Sequence, residues 1–270
     1  MEKVKAKKSL GQNFLHDESV IEGILAIAEI GSEDRVLEIG PGTGALTAHL
    51  LRCAGSVVAI ELDHDLVLRL DDRFAGADNL TLLEGSILKL DLGATLYKAG
   101  FADSAYKVVA NIPYYITAPI IRLLLSLPIR PERIVLMVQD EVADRLAARP
   151  GDMSLLSLMA QHTATVTKEL VVSRTAFDPE PKVDSAVIRL VPKTERSMDD
   201  DKELFRVARA GFAARRKTLA NNLSSSFRIP RSEVEKMLAD LGLESRIRAQ
   251  ELSVEEWKSL SENIGTWKSE

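Results

Sequence analysis

The stretch Val36-Leu37-Glu38-Ile39-Gly40-Pro41-Gly42-Thr43-Gly44-Ala45-Leu46-Thr47 decides the fold. It begins as a mostly apolar run, passes through alternating glycines, and continues with helix-forming residues. A buried strand, a glycine-rich turn and a helix in this order are typical of a doubly wound α/β sheet. Glycines let the backbone approach a ligand, and the first turn of the helix offers free N–H groups. The stretch therefore predicts a ligand-binding loop at the carboxyl edge of a parallel sheet.

Alternating strand and helix patterns extend this unit across most of the chain. Short runs rich in β-branched residues alternate with helical patterns between Arg35 and Arg189, which favours parallel strands joined by crossover helices. Strands are predicted over residues 35–39, 57–61, 80–83, 107–110, 134–139, 169–174 and 183–191. The last two are separated by a segment with Pro179 and Pro181, and we expect them to form an antiparallel pair at the sheet edge.

The pattern changes after the last predicted strand. Residues 192–201 are polar and end in three consecutive aspartates, which is typical of a linker. Only helical patterns follow, over residues 204–227, 231–241 and 253–264, with Pro230 and Gly242 as breaks. We therefore predict two domains, residues 1–195 around the sheet and residues 196–270 as a small all-helical domain.

Composition excludes several classes of protein. The 270 residues include 35 Lys and Arg against 40 Asp and Glu, a net charge of −5, so the chain is not a wholly basic nucleic-acid coat. A single cysteine, Cys53, permits no internal disulfide, and four scattered histidines give no metal-ligand spacing. The N-terminus lacks the apolar core of a signal peptide, and the most apolar stretch, residues 118–129, is too short to span a bilayer. We expect a cytoplasmic protein without a metal.

The spacing of the glycines indicates the ligand. Gly40-x-Gly42-x-Gly44 behind Glu38 differs from the Gly-x-Gly-x-x-Gly of dinucleotide-binding folds, and it is the form associated with S-adenosylmethionine enzymes. Glu61 ends the next strand, where its carboxylate could accept both ribose hydroxyls of that cofactor. Ser86 follows the third strand, where this fold would contact the adenine, although a hydroxyl is a weaker partner for an exocyclic amine than a carboxylate.

A second loop, Asn111-Ile112-Pro113-Tyr114, follows the fourth strand and predicts the substrate. The Asn111 side-chain oxygen and a carbonyl beside Pro113 provide two acceptors, and Tyr114 provides a flat face, a combination that holds an amino group on a planar ring. Such an amine is a poor nucleophile and must be oriented in line with the sulfonium methyl, while acceptors stabilise charge developing on nitrogen. Phe177 could cover the base from the other side, whereas we expect Tyr115 to be a half-buried core aromatic.

With these loops in place, the chain resembles the ribosomal RNA adenine N6,N6-dimethyltransferases, most closely the branch that dimethylates two adjacent adenosines in small-subunit rRNA. The resemblance rests on residues 8–15 (KSLGQNFL), 38–47, 111–114 and 177–187, and it covers nearly the whole chain. It implies a Rossmann-like, seven-stranded methyltransferase sheet with a small C-terminal helical domain. Ser86 and Asp140 depart from it, because the family usually has Asp and often Lys at these positions.

The resemblance also implies roles for individual residues. Asn111 would receive the target amine beside Pro113, Tyr114 would stack on the flipped base, and Phe177 would complete the catalytic set. The residues expected at the cofactor are Gln12, Asn13, Leu15, Gly40, Gly42, Gly44, Glu61, Leu62, Ser86, Ile87 and Asn111.

A local excess of positive charge predicts where RNA binds. Residues 204–223 contain no acidic residue, and residues 212–223 resemble the C-terminal signature of the small-subunit branch. Positive side chains neutralise phosphates and give salt-sensitive, sequence-independent affinity. The candidates are Arg206, Arg209, Arg215, Arg216 and Lys217, together with the N-terminal Lys3, Lys5, Lys7 and Lys8.

These observations lead to one principal hypothesis and three alternatives. The principal hypothesis is S-adenosylmethionine-dependent N6-dimethylation of two adjacent adenosines in the 3′-terminal hairpin loop of 16S rRNA, by a monomer acting on an immature 30S particle during ribosome biogenesis. One alternative is a large-subunit adenine methylase that confers macrolide resistance, against which the Arg-rich block argues. The others are an assembly factor for which methylation is secondary and, more distantly, a dinucleotide dehydrogenase.

Overall fold

The structure is a computed structural model that describes residues 6–101, 105–193 and 198–267, so Lys3 and Lys5 lie outside the described residues. The described residues form two compact units. One runs to Ala143 and includes Ala164–Pro192, and the other comprises Asp144–Thr163 and the residues from Lys193 onward. The assignment of catalysis to residues 1–195 and of RNA binding to residues 196–270 stays a prediction. Packing places 144–163 with the second unit, because Met153 and Leu158 join its apolar cluster.

Strands and helices alternate through the first unit. Its strands are β1 (Phe14–Leu15), β2 (Arg35–Ile39), β3 (Ser56–Glu61), β4 (Leu80–Glu84), β5 (Lys107–Asn111), β6 (Arg133–Gln139), β7 (Ala164–Val172), β8 (Phe177–Asp178) and β9 (Ser185–Pro192). Its helices are α1 (Glu18–Ala28), α2 (Ala45–Cys53), α3 (His64–Arg73), α4 (Leu92–Lys98) and α5 (Thr117–Ser126), while α6 (Asp140–Leu146) continues into the second unit.

The main sheet has seven strands in the order β4-β3-β2-β5-β6-β9-β7. Strands β2 to β6 pair in parallel, and β9 runs antiparallel to both β6 and β7. The predicted α/β fold and its antiparallel edge pair are confirmed. Strand β7 begins at residue 164, earlier than predicted, because its half-exposed edge position and a register shift near Lys168 hide the alternation of apolar residues.

The topology brings the loops that follow β2, β3, β4 and β5 to one edge of the sheet. Strand β2 is buried from Val36 to Ile39 and lies between β3 and β5, so the order of connections reverses beside it. In open α/β sheets ligands bind at the carboxyl ends of strands on either side of such a switch point. The glycine loop after β2 and the Asn111 loop after β5 therefore open into the same space.

A two-stranded antiparallel sheet attaches the N-terminal segment to this edge. Strand β1 pairs with β8, with Phe14 opposite Asp178 and Leu15 opposite Phe177. Leu15 and Phe177 are both buried in the apolar cluster around α1 and the sheet. Two-residue strands carry no periodicity, so the sequence did not predict this pairing.

The second unit is helical, with α7 (Leu155–Thr163), α8 (Met198–Gly211), α9 (Leu219–Phe227), α10 (Arg231–Asp240) and α11 (Val254–Trp267). Its core includes Leu204, Leu223, Leu238 and the fully buried Trp257. The predicted linker is shorter than 192–201, since β9 reaches residue 192 and α8 begins at residue 198. Among the described residues, no helix combines the length and the apolar character that crossing a bilayer requires.

The single helix predicted over residues 204–227 is wrong. Helix α8 ends at Gly211, where an added Cβ would lie 2.4 Å from the ring of Trp257. The chain then turns, and the Asn222 side chain donates to the carbonyls of Gly211 (2.6 Å) and Ala214 (3.1 Å). Thr218 caps the new helix α9 by accepting from the Asn221 N–H. Residues 212–218 therefore form a loop, which we call the basic turn.

Candidate active site

One pocket collects most of the predicted site residues. It lies at the carboxyl ends of β2 to β5, is covered by the N-terminal segment, and encloses about 1040 Å³ including space open to solvent. The predicted residues that line it are Gln12, Asn13, Leu15, Gly40, Gly42, Glu61, Leu62, Ser86, Ile87, Asn111, Pro113 and Tyr114.

The glycines after β2 have two different roles: Gly40 and Gly42 allow the backbone of the turn, and Gly44 allows two helices to pack closely. Gly40 and Gly42 have φ angles of 68° and 61°, and a Cβ on Gly42 would lie 3.2 Å from the ring of Phe14. Gly44, also predicted at the cofactor, does not line the pocket. A Cβ there would lie 2.7 Å from Phe74 and 2.8 Å from Leu70, so its role is the packing of α2 against the end of α3.

Glu61 fixes the glycine loop from the end of β3. Its Oε2 accepts from the N–H of Gly42 (3.1 Å), and its Oε1 accepts from the N–H groups of Leu62 (2.8 Å) and Asp63 (2.9 Å). Burial raises the pKa of Glu61, although these hydrogen bonds oppose the shift. A carboxylate oxygen can accept more than one hydrogen bond, so Oε2 retains capacity for a hydroxyl in the pocket.

Glu38 is a pocket residue that was not among the predicted contacts. It is 1% exposed, and its Oε2 has no hydrogen-bond partner among the described residues. Burial raises the pKa of Glu38 to about 8. A hydrogen bond with the Thr47 side chain opposes this shift, and the charge of Glu61 adds to it. A buried carboxyl oxygen without a partner costs free energy unless a ligand supplies a donor or a cation. The acidic residue inside the apolar run of β2 was the available sequence signal.

The N-terminal segment is anchored to the loop after β3. Lys7 Nζ lies 2.5 Å from Asp63 Oδ1 and 2.7 Å from Asp65 Oδ2, and Gln12 Nε2 donates to Asp63 Oδ2 at 2.8 Å. Asp63 is 4% exposed; its burial raises the pKa, but the hydrogen bonds from Lys7 and Gln12 outweigh this and lower it. Lys7 and Lys8 are both exposed, but the Lys7 ammonium is engaged in ion pairs within the protein. The sequence did not single out either aspartate.

The candidate catalytic loop, residues 111–114, is held by contacts from outside it. The Asn111 Nδ2 donates to the main-chain oxygen of Asn13 at 3.2 Å, which leaves the amide oxygen as the acceptor for a ligand. Tyr114 lies half-buried in a short 3₁₀ turn, with its hydroxyl 2.7 Å from Ser185 Oγ. Burial raises the pKa of Tyr114, so its phenol stays protonated near neutral pH even though Ser185 opposes the shift.

The structure separates the two remaining aromatic candidates from their expected positions. Phe177 is 3% exposed, belongs to the apolar cluster and does not line the pocket, so its placement does not support contact with a base. Tyr115 is 60% exposed and lines the pocket next to Gly11, so its expected core position is wrong. Successive side chains of a 3₁₀ turn point in different directions, which separates Tyr115 from the partly buried Tyr114.

The basic residues of the second unit are unequally available. Arg209, Arg215, Arg216 and Lys217 are exposed, the last three in the basic turn. Arg206 instead forms an ion pair with Glu203 (Nε to Oε2, 2.7 Å), and its guanidinium lies 4.4 Å above the ring of Phe227. Arg206 is therefore a weaker candidate for phosphate contact than the other four.

Neither departure from the family pattern disrupts the site. Ser86 lines the pocket with its neighbour Ile87, and Asp140 Oδ1 lies 2.8 Å from Lys168 Nζ.

Across residues 6–101, 105–193 and 198–267, no three His, Cys, Asp or Glu side chains are grouped so that they could hold a metal ion.

The sheet and its pocket are those of the seven-stranded, Rossmann-like S-adenosylmethionine-dependent methyltransferase fold. A family model described as ribosomal RNA adenine dimethylase matches residues 3–265, so the chain belongs to that family. Two proteins named ribosomal RNA small subunit methyltransferase A are similar to it. The one from Lactiplantibacillus plantarum is 43% identical over 268 residues, which are 97% of this chain and 90% of that protein. The one from Geobacter sulfurreducens is 43% identical over 266 residues, 97% and 96% of the two chains.

Two solved structures are similar over nearly the whole chain. A dimethyladenosine transferase from Plasmodium falciparum superposes with a TM-score of 0.77 at 27% identity, covering 94% of this chain and 98% of its own. A 23S rRNA methyltransferase, ErmE, superposes with a TM-score of 0.73 at 28% identity, covering 94% and 100%. A dimethyladenosine transferase and a 23S rRNA methyltransferase therefore share this architecture.

Proposed function

We propose that this protein transfers methyl groups from S-adenosylmethionine to N6 of two adjacent adenosines in the 3′-terminal hairpin loop of 16S rRNA. The substrate would be an immature 30S particle during ribosome biogenesis. The observation that carries the proposal is the Asn111–Tyr114 loop, which shares one pocket with the glycine loop and Glu61. The near full-length similarity to small-subunit methyltransferases supports the choice of subunit over the large-subunit alternative.

The pocket has donors and acceptors that fit S-adenosylmethionine. Glu61 Oε2 suits the ribose hydroxyls, and Glu38 Oε2, which has no partner among the described residues, suits the cationic amino-acid end. Ser86 and Ile87 would contact the adenine, with Gln12, Asn13 and Leu15 closing the pocket from the N-terminal side. When bound, this cofactor supplies an activated methyl group on a sulfonium.

The chain's own residues would orient the target amine. The Asn111 amide oxygen accepts one N–H of the adenine, and the face of Tyr114 stacks on the ring. The amine nitrogen would form the new N–C bond as the bond between the methyl group and sulfur breaks, with S-adenosylhomocysteine as the leaving group. The acceptor would stabilise the charge on nitrogen, and the proton would leave to water. No general base of the loop is required. One N–H remains after the first transfer, so a second methyl group can follow on the same nitrogen.

RNA affinity would come mainly from the second unit. The exposed Arg209, Arg215, Arg216 and Lys217 can neutralise phosphates, which position an RNA without reading its sequence. A target base in a loop is already unpaired, so extruding it costs less than in a duplex. We further propose that the protein acts as a monomer in the cytoplasm.

The decisive experiment is transfer of labelled methyl from S-adenosylmethionine to small-subunit particles that lack the modification, followed by separation of the RNA nucleosides. We expect N6,N6-dimethyladenosine with the wild type and none with Asn111→Ala. Incorporation only into large-subunit RNA would instead favour the resistance-type methylase, which the similarity to the 23S rRNA enzyme makes the second candidate. Particle binding and normal assembly with Asn111→Ala would identify an assembly factor for which methylation is secondary.

A further inference from the structure

Two hydroxyl groups meet behind the catalytic loop. Ser185 Oγ lies 2.7 Å from the phenolic oxygen of Tyr114, and Ser185 is 0% exposed. We propose that Ser185 is a positioning residue, whose hydroxyl holds the Tyr114 ring in the orientation that stacks on the target adenine. The inference rests on the proposed function, because that function gives the ring its stacking role.

The sheet fixes the position of the Ser185 hydroxyl. Ser185 is the first residue of β9, and its Cα is paired with Gln139 of β6 on one side and with Val172 of β7 on the other. The carbonyl of the preceding Asp184 accepts the N–H of Asp140 at 3.1 Å. A strand paired on both sides cannot shift without breaking two ladders, so the hydroxyl is a fixed point.

Tyr114 has a second anchor at its other end. Its main-chain oxygen accepts from Thr117 Oγ1 at 3.1 Å, and Thr117 is 3% exposed at the start of α5. Because the phenolic oxygen lies on the long axis of the ring, a hydrogen bond to it fixes the direction of that axis, which the staggered rotamers of the side chain otherwise leave open. Anchors at the carbonyl and at the hydroxyl therefore restrict the ring before substrate arrives, so less entropy is lost on binding.

The contact is unsuited to proton transfer. Burial raises the pKa of the Tyr114 phenol, and its partner is another neutral hydroxyl. Methyl transfer to an amine held by Asn111 needs no proton from this pair. Orientation of the ring is therefore the role that the geometry leaves for Ser185.

A double-mutant cycle tests the inference with the wild type, Ser185→Ala, Tyr114→Phe and the double variant. Methyl transfer to unmethylated small-subunit particles is measured, with kcat and the KM for S-adenosylmethionine determined separately. One neutral hydrogen bond corresponds to a loss of about fivefold in kcat. We expect that loss in each single variant, no further loss in the double variant, and an unchanged KM for the cofactor, because the shared bond is already absent.

A burial-matched control is Ser157→Ala. Ser157 is also 0% exposed and its hydroxyl bonds to Ser154, but it lies in the second unit. It should leave kcat unchanged, and thermal melting of all variants should show folded protein. Full activity of Ser185→Ala, or losses that multiply in the double variant, would overturn the role proposed for Ser185 but not the proposed function. Absence of transfer by the wild type would overturn the proposed function and this inference together.

Discussion

Glu38 shows how one buried side chain can couple the pocket to pH. Its pKa is raised from 4.5 to about 8 by burial, so between these values the folded protein retains a proton that the unfolded chain releases. Raising the pH through this window therefore favours unfolding, and the stability associated with Glu38 is full below the lower value and lost as pH rises through the upper one. Glu61, whose pKa burial also raises, acts in the same direction.

Replacement of Glu38 by Gln should flatten this dependence. Without cofactor, the melting temperature of the wild type should fall by a few degrees more than that of Glu38→Gln between about pH 5 and about pH 8. Calorimetric melting at a series of pH values measures the difference, and Glu33→Gln, at an exposed position, is the control. Parallel pH profiles for wild type and Glu38→Gln would show that the carboxyl is ionised in the folded protein.

Ser86 permits a prediction about cofactor affinity. A carboxylate accepts a hydrogen bond from an exocyclic amine more strongly than a hydroxyl does, and residue 86 lines the pocket. Ser86→Asp should therefore tighten S-adenosylmethionine by about fivefold in titration calorimetry. Ser86→Ala, which removes the hydroxyl, is the matched comparison. Unchanged or weaker binding by the Asp variant would count against an adenine contact at this position.

The residues of the site were predictable to the extent that their roles are local. The glycine spacing, the strand-terminal Glu61 and the Asn111 loop each carry a local pattern. The structure brings Gly40, Gly42, Glu61 and the Asn111 loop to one pocket, but not Gly44. The burial of Phe177 and the hydroxyl pair of Tyr114 and Ser185 depend on strands distant in sequence. No local pattern could indicate them.

At the scale of elements, the N-terminal segment is held over the pocket by a small number of contacts. Breaking the anchor through Lys7→Ala or Asp63→Asn should weaken S-adenosylmethionine binding severalfold, because the segment must then be ordered at the expense of binding energy. Titration calorimetry measures this loss, and Lys8→Ala is the control. Equal affinity in all variants would show that the anchor is dispensable. If Lys7→Ala also weakened RNA binding, that result would support the phosphate contact predicted for Lys7.

The basic turn shows why a helical pattern in sequence was misleading. Apolar spacing continues from α8 into α9, but the Asn222 side chain and the crowding of Gly211 by Trp257 end the first helix. Tertiary contacts overrode local propensity here. The consequence is that three cations lie on a loop and not on one helix face.

Their contribution to RNA binding is measurable through salt. Replacing Arg215, Arg216 and Lys217 by Ala should weaken RNA binding by a similar factor for different sequences, and lower the slope of log affinity against log salt by about two. Arg206→Ala should leave that slope nearly unchanged, because Glu203 already pairs with it. Filter binding of an rRNA fragment at several salt concentrations distinguishes these cases. An equal effect of Arg206 would show that its ion pair opens on RNA.

For the molecule as a whole, the α/β class, the seven strands and the antiparallel edge followed from periodicity, because each buried strand carries a continuous apolar run. The division of the chain into two units was harder to predict from the sequence. Residues 144–163 leave the sheet, pack in the second unit, and return as β7. Such an excursion depends on which apolar faces meet in three dimensions.

The pairing of β1 with β8 sets an order of events during synthesis. Residues 14 and 15 are translated before the main sheet, but their partners, residues 177 and 178, follow β2 to β7 in the chain. The segment that covers the cofactor pocket therefore waits until almost the entire sheet has been translated, and long-range pairings of this kind form late. A nascent chain should therefore be unable to retain cofactor until translation has passed residue 178.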